Sequence, residues 1–418
     1  MLVFAACVLC VLSEVNETLV MEAVEFIASC RDPDGSVSTN PDRHLIIPAF
    51  CGAAIVGLSR AGAYFKNQTM IDISWGHIAW HAAHINTTTH FISNYGRDHK
   101  ADPWICKDEF DSTDSYAALF FLALDETYWA QVYIDGNDVR AKEKIAGLIE
   151  AGYHSLEAIL ATFEPEFNLT RAKPSDDPNK KKACYTMDNS VVVGGLASCT
   201  RLPLDNDVVE KCAKYLNIIN STFLQMLWDD VDESFTYYKS RSGTYHTIWT
   251  KDYPDILCQV YPSLFGIFGN RADPRNIKVA RRAIEAFPEW YGDVNLEGEL
   301  SYTSNVMSVG LASIPDDEIK ANARYGAMMT WEVARSRKWG WPFTTETAGK
   351  IISTELFEFE THLHPIGSSS SSSSSVSSSS SSNKQSSETE PLVSASSMLS
   401  YSSVSLLLQA IVIFAMLF

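Results

Sequence analysis

Apolar positions across residues 15–357 recur with the i, i+3, i+4, i+7 spacing of helices, and the helix-like stretches alternate between two kinds. One kind is amphipathic, and the other is small and apolar through its middle, which indicates burial on all sides. The amphipathic stretches are 14–30, 69–85, 139–163, 207–228, 276–290 and 317–335. The apolar stretches are 48–62, 112–124, 187–199, 254–268, 304–313 and 345–357. This alternation predicts an all-α protein, an (α/α)6 barrel of six helical hairpins with the apolar helices inside.

Loop length predicts where the barrel carries its function. The connections that enter the apolar helices are mostly longer than those that leave them, and they are 31–47, 86–111, 164–186, 229–253, 291–303 and 336–344. With this connectivity all six emerge on one rim, and long loops on a rigid scaffold are usually functional or disordered. Their many Trp and Tyr residues favour a lined cleft. The stretch 232–249 alternates around Arg241 and Gly243, which predicts a small β-hairpin in the rim.

The two ends of the chain predict secretion and lipid anchoring. Residues 1–13 are apolar and short, like the core of a signal peptide, and 14–365 hold the barrel. Residues 366–394 are Ser-rich and read as a disordered stalk. Residues 395–418 have the layout of a glycosylphosphatidylinositol (GPI) attachment propeptide, with Ser394 as the anchored residue. The expected location is the outer face of the plasma membrane or the cell wall; a membrane-spanning tail is the alternative.

Five sequons agree with the secretory route, each an Asn-x-Ser/Thr without Pro, and they predict N-glycosylation at Asn16, Asn67, Asn86, Asn168 and Asn220. Removal of the signal peptide leaves an odd number of cysteines, so at least one stays outside any intramolecular disulfide. Two pairings are candidates, Cys106 with Cys184 and Cys199 with Cys212.

The net charge of −18 at pH 7 weighs against nucleic acid as a partner, because phosphate binding needs a basic footprint. The chain has no glycine-rich nucleotide loop, so no cofactor is expected. His77, His81 and His84 share one face of an outer helix, yet no acidic residue extends that face. We expect them to be satisfied within the protein rather than to bind metal. No obligate protein partner is evident, and a neutral carbohydrate suits the acidic chain.

Two short motifs carry the candidate chemistry at the starts of inner helices. In DSTDSY, Asp111 precedes an inner helix and Asp114 lies in its first turn; in MDNS, Asp188 and Asn189 open another. Carboxylates facing one cavity from different environments supply the acid and the base that acetal hydrolysis needs. Helix capping alone is the alternative role for each Asp.

Further rim residues are candidate sugar ligands. WTKDYPDILCQ contains Trp249 as a stacking platform, and Asp252, Asp255 and Gln259 as ligands for hydroxyl groups. Asp34 opens onto the same rim from the turn DPDG. The aromatic members of WGWPF that we assign to substrate are Trp339 and Trp341. Caps, a plain turn and core packing are the alternatives.

The sequences DSTDSYAALFFLAL, MDNSVVVGGL and YPDILCQVYPSLFGIFG resemble inner-helix starts of the six-hairpin glycosidase-like superfamily. MDNS is similar to the Asp-Asn/Ser motif of unsaturated glucuronyl hydrolases. In those enzymes the Asp of that motif is the general acid/base, and an Asp that opens an earlier inner helix assists. The resemblance therefore implies that Asp188 is the main catalytic residue, with Asp111 or Asp114 as its partner.

The sequence thus predicts a surface glycoside hydrolase acting on polysaccharide or glycan by carboxylate acid/base catalysis. A carbohydrate-binding protein on the same barrel without turnover is one alternative. A polysaccharide lyase is another, because Tyr245, His246 and Arg241 lie in a rim loop. An epimerase of sugar rings is a weaker third.

Overall fold

The computed structural model describes residues 15–42, 44–107, 112–174, 183–249, 256–288, 290–291 and 300–364, with backbone only at 300–305. The predicted signal peptide, stalk, GPI propeptide and Ser394 lie outside the described residues. So do three candidate site residues, Asp111, Asp252 and Asp255. Residues Glu14–Ser368 form one compact unit.

Helices dominate the described residues, and we number them in chain order. The α-helices are α1 Glu17–Ser29, α2 Pro48–Tyr64, α3 Gln68–Ala83, α4 Thr113–Asp135, α5 Val139–Ala146, α6 Ile149–Thr162, α7 Thr186–Cys199, α8 Asn206–Leu227, α9 Leu257–Leu264, α10 Pro274–Ala286, α11 Leu300–Ala312, α12 Asp317–Ser336, α13 Thr345–Glu355 and α14 Glu360–Leu363. The predicted alternation is confirmed: six apolar helices form an inner ring, in which α2, α4, α7, α9, α11 and α13 each pack on the next and α13 packs back on α2.

Glycines allow the inner helices to pack closely. A Cβ on Gly57 of α2 would lie 2.2 Å from the carbonyl oxygen of Gly349 on α13, and one on Gly195 of α7 would lie 2.6 Å from the backbone of Ala118 on α4. Real Cβ atoms do not approach other atoms so closely, because hard-sphere repulsion forbids it. These helix contacts, one of which closes the ring, therefore depend on the missing side chains.

Three helices differ from their predicted bounds. The predicted stretch 112–124 is shorter than helix α4, which continues to Asp135. Gly136, in the left-handed conformation, caps its C-terminal end. The stretch 139–163 is two helices, since α5 ends at Gly147 and α6 begins at Ile149. Helix α9, Leu257–Leu264, covers only part of the predicted stretch 254–268. Residues 254 and 255 of that stretch lie outside the described residues.

Short strands edge the rim. They are β1 Leu45–Ile46, β2 Tyr95–Gly96, β3 Ile105–Cys106, β4 Phe163–Glu164, β5 Leu169–Thr170, β6 Cys184–Tyr185, β7 Trp228–Asp229, β8 Ser234–Phe235, β9 Tyr238–Ser240 and β10 Gly243–Tyr245. The predicted β-hairpin is confirmed as the antiparallel pair β9–β10, which β6 extends to three strands. Strands β1–β2–β3 form a second sheet, and β4–β5 and β7–β8 are separate pairs.

One predicted disulfide forms and the other does not. Cys199 at the end of α7 bonds to Cys212 on α8, with Cα atoms 6.3 Å apart. Cys184 keeps a buried free thiol, so the expected Cys106–Cys184 bridge is wrong. Cys184 instead sits in strand β6, and Cys106 is exposed in β3 of a different sheet.

The sequons fall on helix ends, turns and one helix surface. Asn16 and Asn67 cap α1 and α3 through their side-chain oxygens, whereas Asn86, Asn168 and Asn220 are exposed. Their glycosylation stays a prediction. Within the described part of the chain, every helix is too short or too polar to span a membrane.

Candidate active site

A cavity of about 610 Å³ runs along the inside of the helical ring. Its lining follows the helical repeat: on α4, Ser115, Leu119, Leu122 and Glu126 appear at successive turns. The rise of about 1.5 Å per residue puts Glu126 roughly 18 Å below Asp114 along that helix. The cavity therefore has a rim end, where inner helices begin, and a far end, where they finish.

Asp188 faces the cavity at the rim end. It lies in the first turn of α7, it is buried, and it lines the cavity beside Ser112 and Ser115. The Ser115 hydroxyl donates to Asp188 Oδ1 at 3.2 Å. Burial and the neighbouring Asp114 carboxylate raise the pKa of Asp188 to about 8. The carboxyl group is thus protonated at neutral pH and able to donate a proton.

Asp114 lies behind Asp188 rather than on the cavity surface. It is fully buried, and its oxygens accept hydrogen bonds from Ser112 Oγ at 2.7 Å, Ser115 N at 2.8 Å and Thr170 Oγ1 at 2.7 Å. Burial raises the pKa of Asp114 to about 6 in spite of these three donors. The structure therefore brings the two predicted aspartates together, with Ser115 in contact with both, and only Asp188 points to the cavity.

Asn189 and Gln259 are saturated by the protein backbone. Asn189 Oδ1 accepts from Thr170 N at 2.8 Å, and its Nδ2 donates to the carbonyl oxygens of Thr170 and Tyr185 at 2.9 Å. Gln259 makes the same kind of two-way contact with Phe235, accepting from its N–H at 2.9 Å and donating to its carbonyl at 2.8 Å. Both amides hold rim strands onto inner helices, so the geometry supports a positioning role for each.

Of the predicted aromatic ligands, Trp341 alone lines the cavity. It is 38% exposed and precedes Pro342, which also lines the cavity. Trp339 instead stacks on Phe26, with ring centroids 4.8 Å apart, and is nearly buried. Trp249 lies under the Arg282 guanidinium, 4.2 Å from the ring centroid.

Asp34 stays at the rim without reaching the cavity lining. It is exposed, and its Oδ1 accepts from the N–H and the hydroxyl of Ser36 at 3.0 and 2.7 Å. This is an Asx turn, which is what the motif DPDG predicts when read as a plain turn.

The predicted lyase residues have partners of their own outside the described lining of the cavity. Arg241 bonds to Glu166 at 2.6 Å, and His246 bonds to Asp229 at 2.6 Å. Tyr245 stacks on Tyr238. The geometry therefore gives a lyase no support.

The three outer-helix histidines belong to the layer between the helices. His77 accepts from Val37 N–H at 3.0 Å, and burial lowers the pKa of His77 to about 4 and that of His81 to about 3. Both imidazoles are neutral, as expected for packed side chains. No group of His, Cys, Asp and Glu able to hold a metal ion occurs among the described residues.

A polar strip faces Asp188 across the cavity. Glu346 and Lys350 of α13 form a buried ion pair, and Lys350 Nζ donates to the hydroxyl of Tyr261 at 3.1 Å. All three residues line the cavity. The sequence analysis did not assign them, although Glu346 and Lys350 have i, i+4 spacing on an inner helix.

The far end of the cavity is closed by charged side chains. Arg60 of α2 lies 2.8 Å from Glu126 and 3.3 Å from Glu360, and Arg271 lies 3.5 Å from Glu360. A second pair joins Arg201 to Asp125. His364 Nε2 lies 3.6 Å from Glu126. Asp125 and Glu126 follow Asp114 by about three helical turns on α4, and that spacing is a signal that could have found them.

Comparisons with known proteins establish the fold. No protein-family model matches the chain, and no curated protein sequence does. An uncharacterized conserved protein from Thermus thermophilus superposes with a TM-score of 0.55 at 10% identity, over 81% of this chain and 100% of that one. The unsaturated glucuronyl hydrolase of Bacillus sp. GL1 gives 0.50 at 12% identity, over 81% and 94%. A sugar epimerase from a ruminal bacterium gives 0.51 at 12% identity, over 82% and 98%.

This chain has the six-hairpin glycosidase-like fold. The expected resemblance is confirmed at that level. Because a hydrolase and an epimerase share the fold, the fold by itself does not decide the reaction. The reaction therefore has to be inferred from the side chains that line the cavity.

Proposed function

We propose that this protein is a glycoside hydrolase in which Asp188 is the general acid. The observation that carries the proposal is a buried carboxyl group on the cavity surface whose pKa lies at about 8. A general acid works best when its pKa lies near the operating pH. A carboxylic acid of ordinary pKa would be ionised at pH 7 and unable to donate a proton.

Asp188 would protonate the glycosidic oxygen of a sugar bound at the rim end, so that the bond to the leaving group breaks. Asp114 supplies the negative charge that keeps the proton on Asp188 until then. A second carboxylate must activate water or attack the sugar. We assign that role to Asp111, which precedes helix α4 by two residues in the sequence. Trp341 provides an exposed ring at the mouth on which a sugar can stack.

We also propose, from the sequence of the chain ends, that the enzyme works at the cell surface. Residues 1–13 would direct secretion, and Ser394 would carry the GPI anchor. The Ser-rich stretch 366–394 would hold the barrel away from the membrane. The substrate is then a glycan outside the cell.

The test is sugar release from a panel of cell-wall, glycoprotein and glycolipid glycans. Secreted residues 14–365 are compared with Asp188→Asn, Asp111→Asn and the control Asp34→Asn, which removes an exposed rim carboxylate. Loss of a general acid costs on the order of 10²- to 10⁴-fold in rate. We expect that loss for Asp188→Asn and parent activity for Asp34→Asn, with circular dichroism to verify folding.

A binding protein without turnover is the second candidate, because Trp341 and the cavity would still hold a sugar. Binding of a glycan by the parent without release of reducing ends, at every pH between 4 and 9, would replace the hydrolase with that function.

A further inference from the structure

Apolar side chains of helices α2, α4 and α7 line one part of the cavity. Val56 of α2 and Leu119 and Leu122 of α4 line it, and all three are only half-buried although they lie on inner helices. Val191 of α7, one turn after Asp188, also lines the cavity but is itself buried. The three half-buried side chains therefore present accessible apolar surface between the rim and the far end.

That wall is unsuited to sugar hydroxyl groups. Burying a hydroxyl group without a hydrogen-bond partner is unfavourable, and valine and leucine side chains offer no partner. The polar side chains of α9 and α13 that line the cavity already bond within the protein: Lys350 bonds to Tyr261 and Glu346, and Ser353 donates to the Gly349 carbonyl. A sugar ring is accommodated better at the mouth, beside Asp188 and Trp341.

The cavity is also longer than one sugar ring requires. On α4 its lining runs from Ser115 to Glu126, a distance of about 16 Å by the helical rise. Its volume of about 610 Å³ is about four times that of an apolar cavity that binds benzene, which measures about 150 Å³. An occupant that extends beyond one sugar ring fits this length and volume.

We propose that the substrate is a glycoside whose leaving group is an alcohol that carries a long alkyl chain, as in a glycolipid. The sugar lies at the rim end against Trp341, and the chain descends along Val56, Leu119, Leu122 and Val191. Protonation of the glycosidic oxygen by Asp188 breaks the bond to the sugar carbon and releases the chain as an alcohol. Water then adds to the sugar carbon and gives up a proton, which restores the acid form of Asp188. This inference rests on the proposed hydrolase function and narrows its substrate class.

The experiment measures binding, so that it does not depend on turnover. Methyl, butyl and octyl glucosides, each below its micelle concentration, are titrated into the purified Asp188→Asn protein by calorimetry. Burial of one methylene group contributes about 0.8 kcal/mol, which is about fourfold in affinity. We expect the dissociation constant to fall at least 30-fold from methyl to octyl glucoside.

Two further variants locate the chain. Leu122→Asn places an amide in the wall and is expected to weaken octyl glucoside binding about tenfold while methyl glucoside binding stays the same. Val56→Thr is nearly isosteric, so it keeps the fold if Leu122→Asn does not, and it is expected to cost about threefold. Equal affinities for methyl and octyl glucoside, or octyl binding that neither variant weakens, would overturn the inference. Release of sugar from polar glycans would still support the hydrolase, so the two failures are distinguishable.

Discussion

Both ends of the cavity bury carboxyl side chains, but the pKa is lowered for Glu126 at the far end and raised for Asp188 at the rim end. At the far end the Arg60 guanidinium contacts Glu126 at 2.8 Å, and the pKa of that glutamate falls to about 2 in spite of burial. At the rim end the neighbour of Asp188 is Asp114, another carboxylate, and the pKa of Asp188 rises to about 8. Burial favours a raised pKa at both ends; the Arg60 guanidinium reverses that direction for Glu126, whereas the Asp114 carboxylate adds to it for Asp188.

Helix α4 makes the comparison direct because it contributes to both ends. Asp114 lies in its first turn, where the helix dipole favours an anion, and Glu126 lies three turns later. Burial nevertheless raises the pKa of Asp114, whereas at Glu126 the Arg60 guanidinium outweighs burial and the pKa is lowered. Asp125 is intermediate: burial raises its pKa although Arg201 pairs with it. The far end therefore stabilises fixed charges, whereas the rim end keeps a proton available.

The largest effect is expected from breaking the far end. Glu126→Gln leaves the buried Arg60 with Glu360 alone, and removing one member of a buried ion pair typically costs about 3–5 kcal/mol. We expect the free energy of unfolding to fall by that amount in urea titrations at pH 7. Asp138→Asn is the control, because it removes an exposed i, i+4 pair with Lys142 and should leave the midpoint unchanged. Equal stabilities for Glu126→Gln and the parent would show that the far-end network is not structural.

Removal of the disulfide is expected to cause the next largest loss of stability, again by a change away from the rim. Cys199 ends the helix that begins beside Asp188, and its bond to Cys212 closes a loop of 13 residues. Constraining a loop of that size in the unfolded chain contributes about 3 kcal/mol. We expect the Cys199→Ser, Cys212→Ser double variant to lose that amount in urea and to keep parent activity at 25 °C. Loss of activity in the folded variant would mean that the two ends are coupled through α7.

Helix order and the inner and outer layers could be predicted from the sequence because each depends on a local apolar repeat. The break at Gly147 and the extension of α4 to Asp135 were missed, although the glycines that follow α4 and α5, Gly136 and Gly147, are local signals of a helix end. Close packing at Gly57 and Gly195 was also hidden, because nothing local distinguishes a contact glycine from any other.

Within the site, the two motifs predicted that Asp114 and Asp188 face one cavity; Ser115 contacts both carboxyl groups, but only Asp188 lines the cavity. The position of Asp114 behind Asp188 was not predictable, because it depends on Thr170, a residue on strand β5 distant in sequence that donates to Asp114. Trp339 and Trp341 are two residues apart, yet one is packed and the other lines the cavity. The conformation of the loop, rather than the residue type, determines which of the two tryptophans lines the cavity.

The third effect is a gain in the free energy of unfolding, whereas the first is a loss. The pKa of Asp188 is about 8 in the folded protein and 3.8 in its ordinary environment, so the folded state binds more protons between those values and stability falls as pH rises through them. Asp188→Asn removes this titration. We expect the variant to be more stable than the parent at pH 8 and nearly equal to it at pH 4, as measured by urea titrations at the two pH values. A variant less stable than the parent at pH 8 would contradict the raised pKa of Asp188.

The smallest effect tests whether Asp114 acts through its charge. If Asp188 must be protonated, sugar release declines as pH rises through about 8. Asp114→Asn removes the negative charge that raises the pKa of Asp188, so the alkaline limb of kcat/KM should move down by about one unit. Ser115→Ala is the matched variant of opposite sign, because the Ser115 hydroxyl stabilises the Asp188 anion and its loss should move the limb upward. Shifts in the same direction for both variants would mean that they disturb the geometry of the rim rather than its charge.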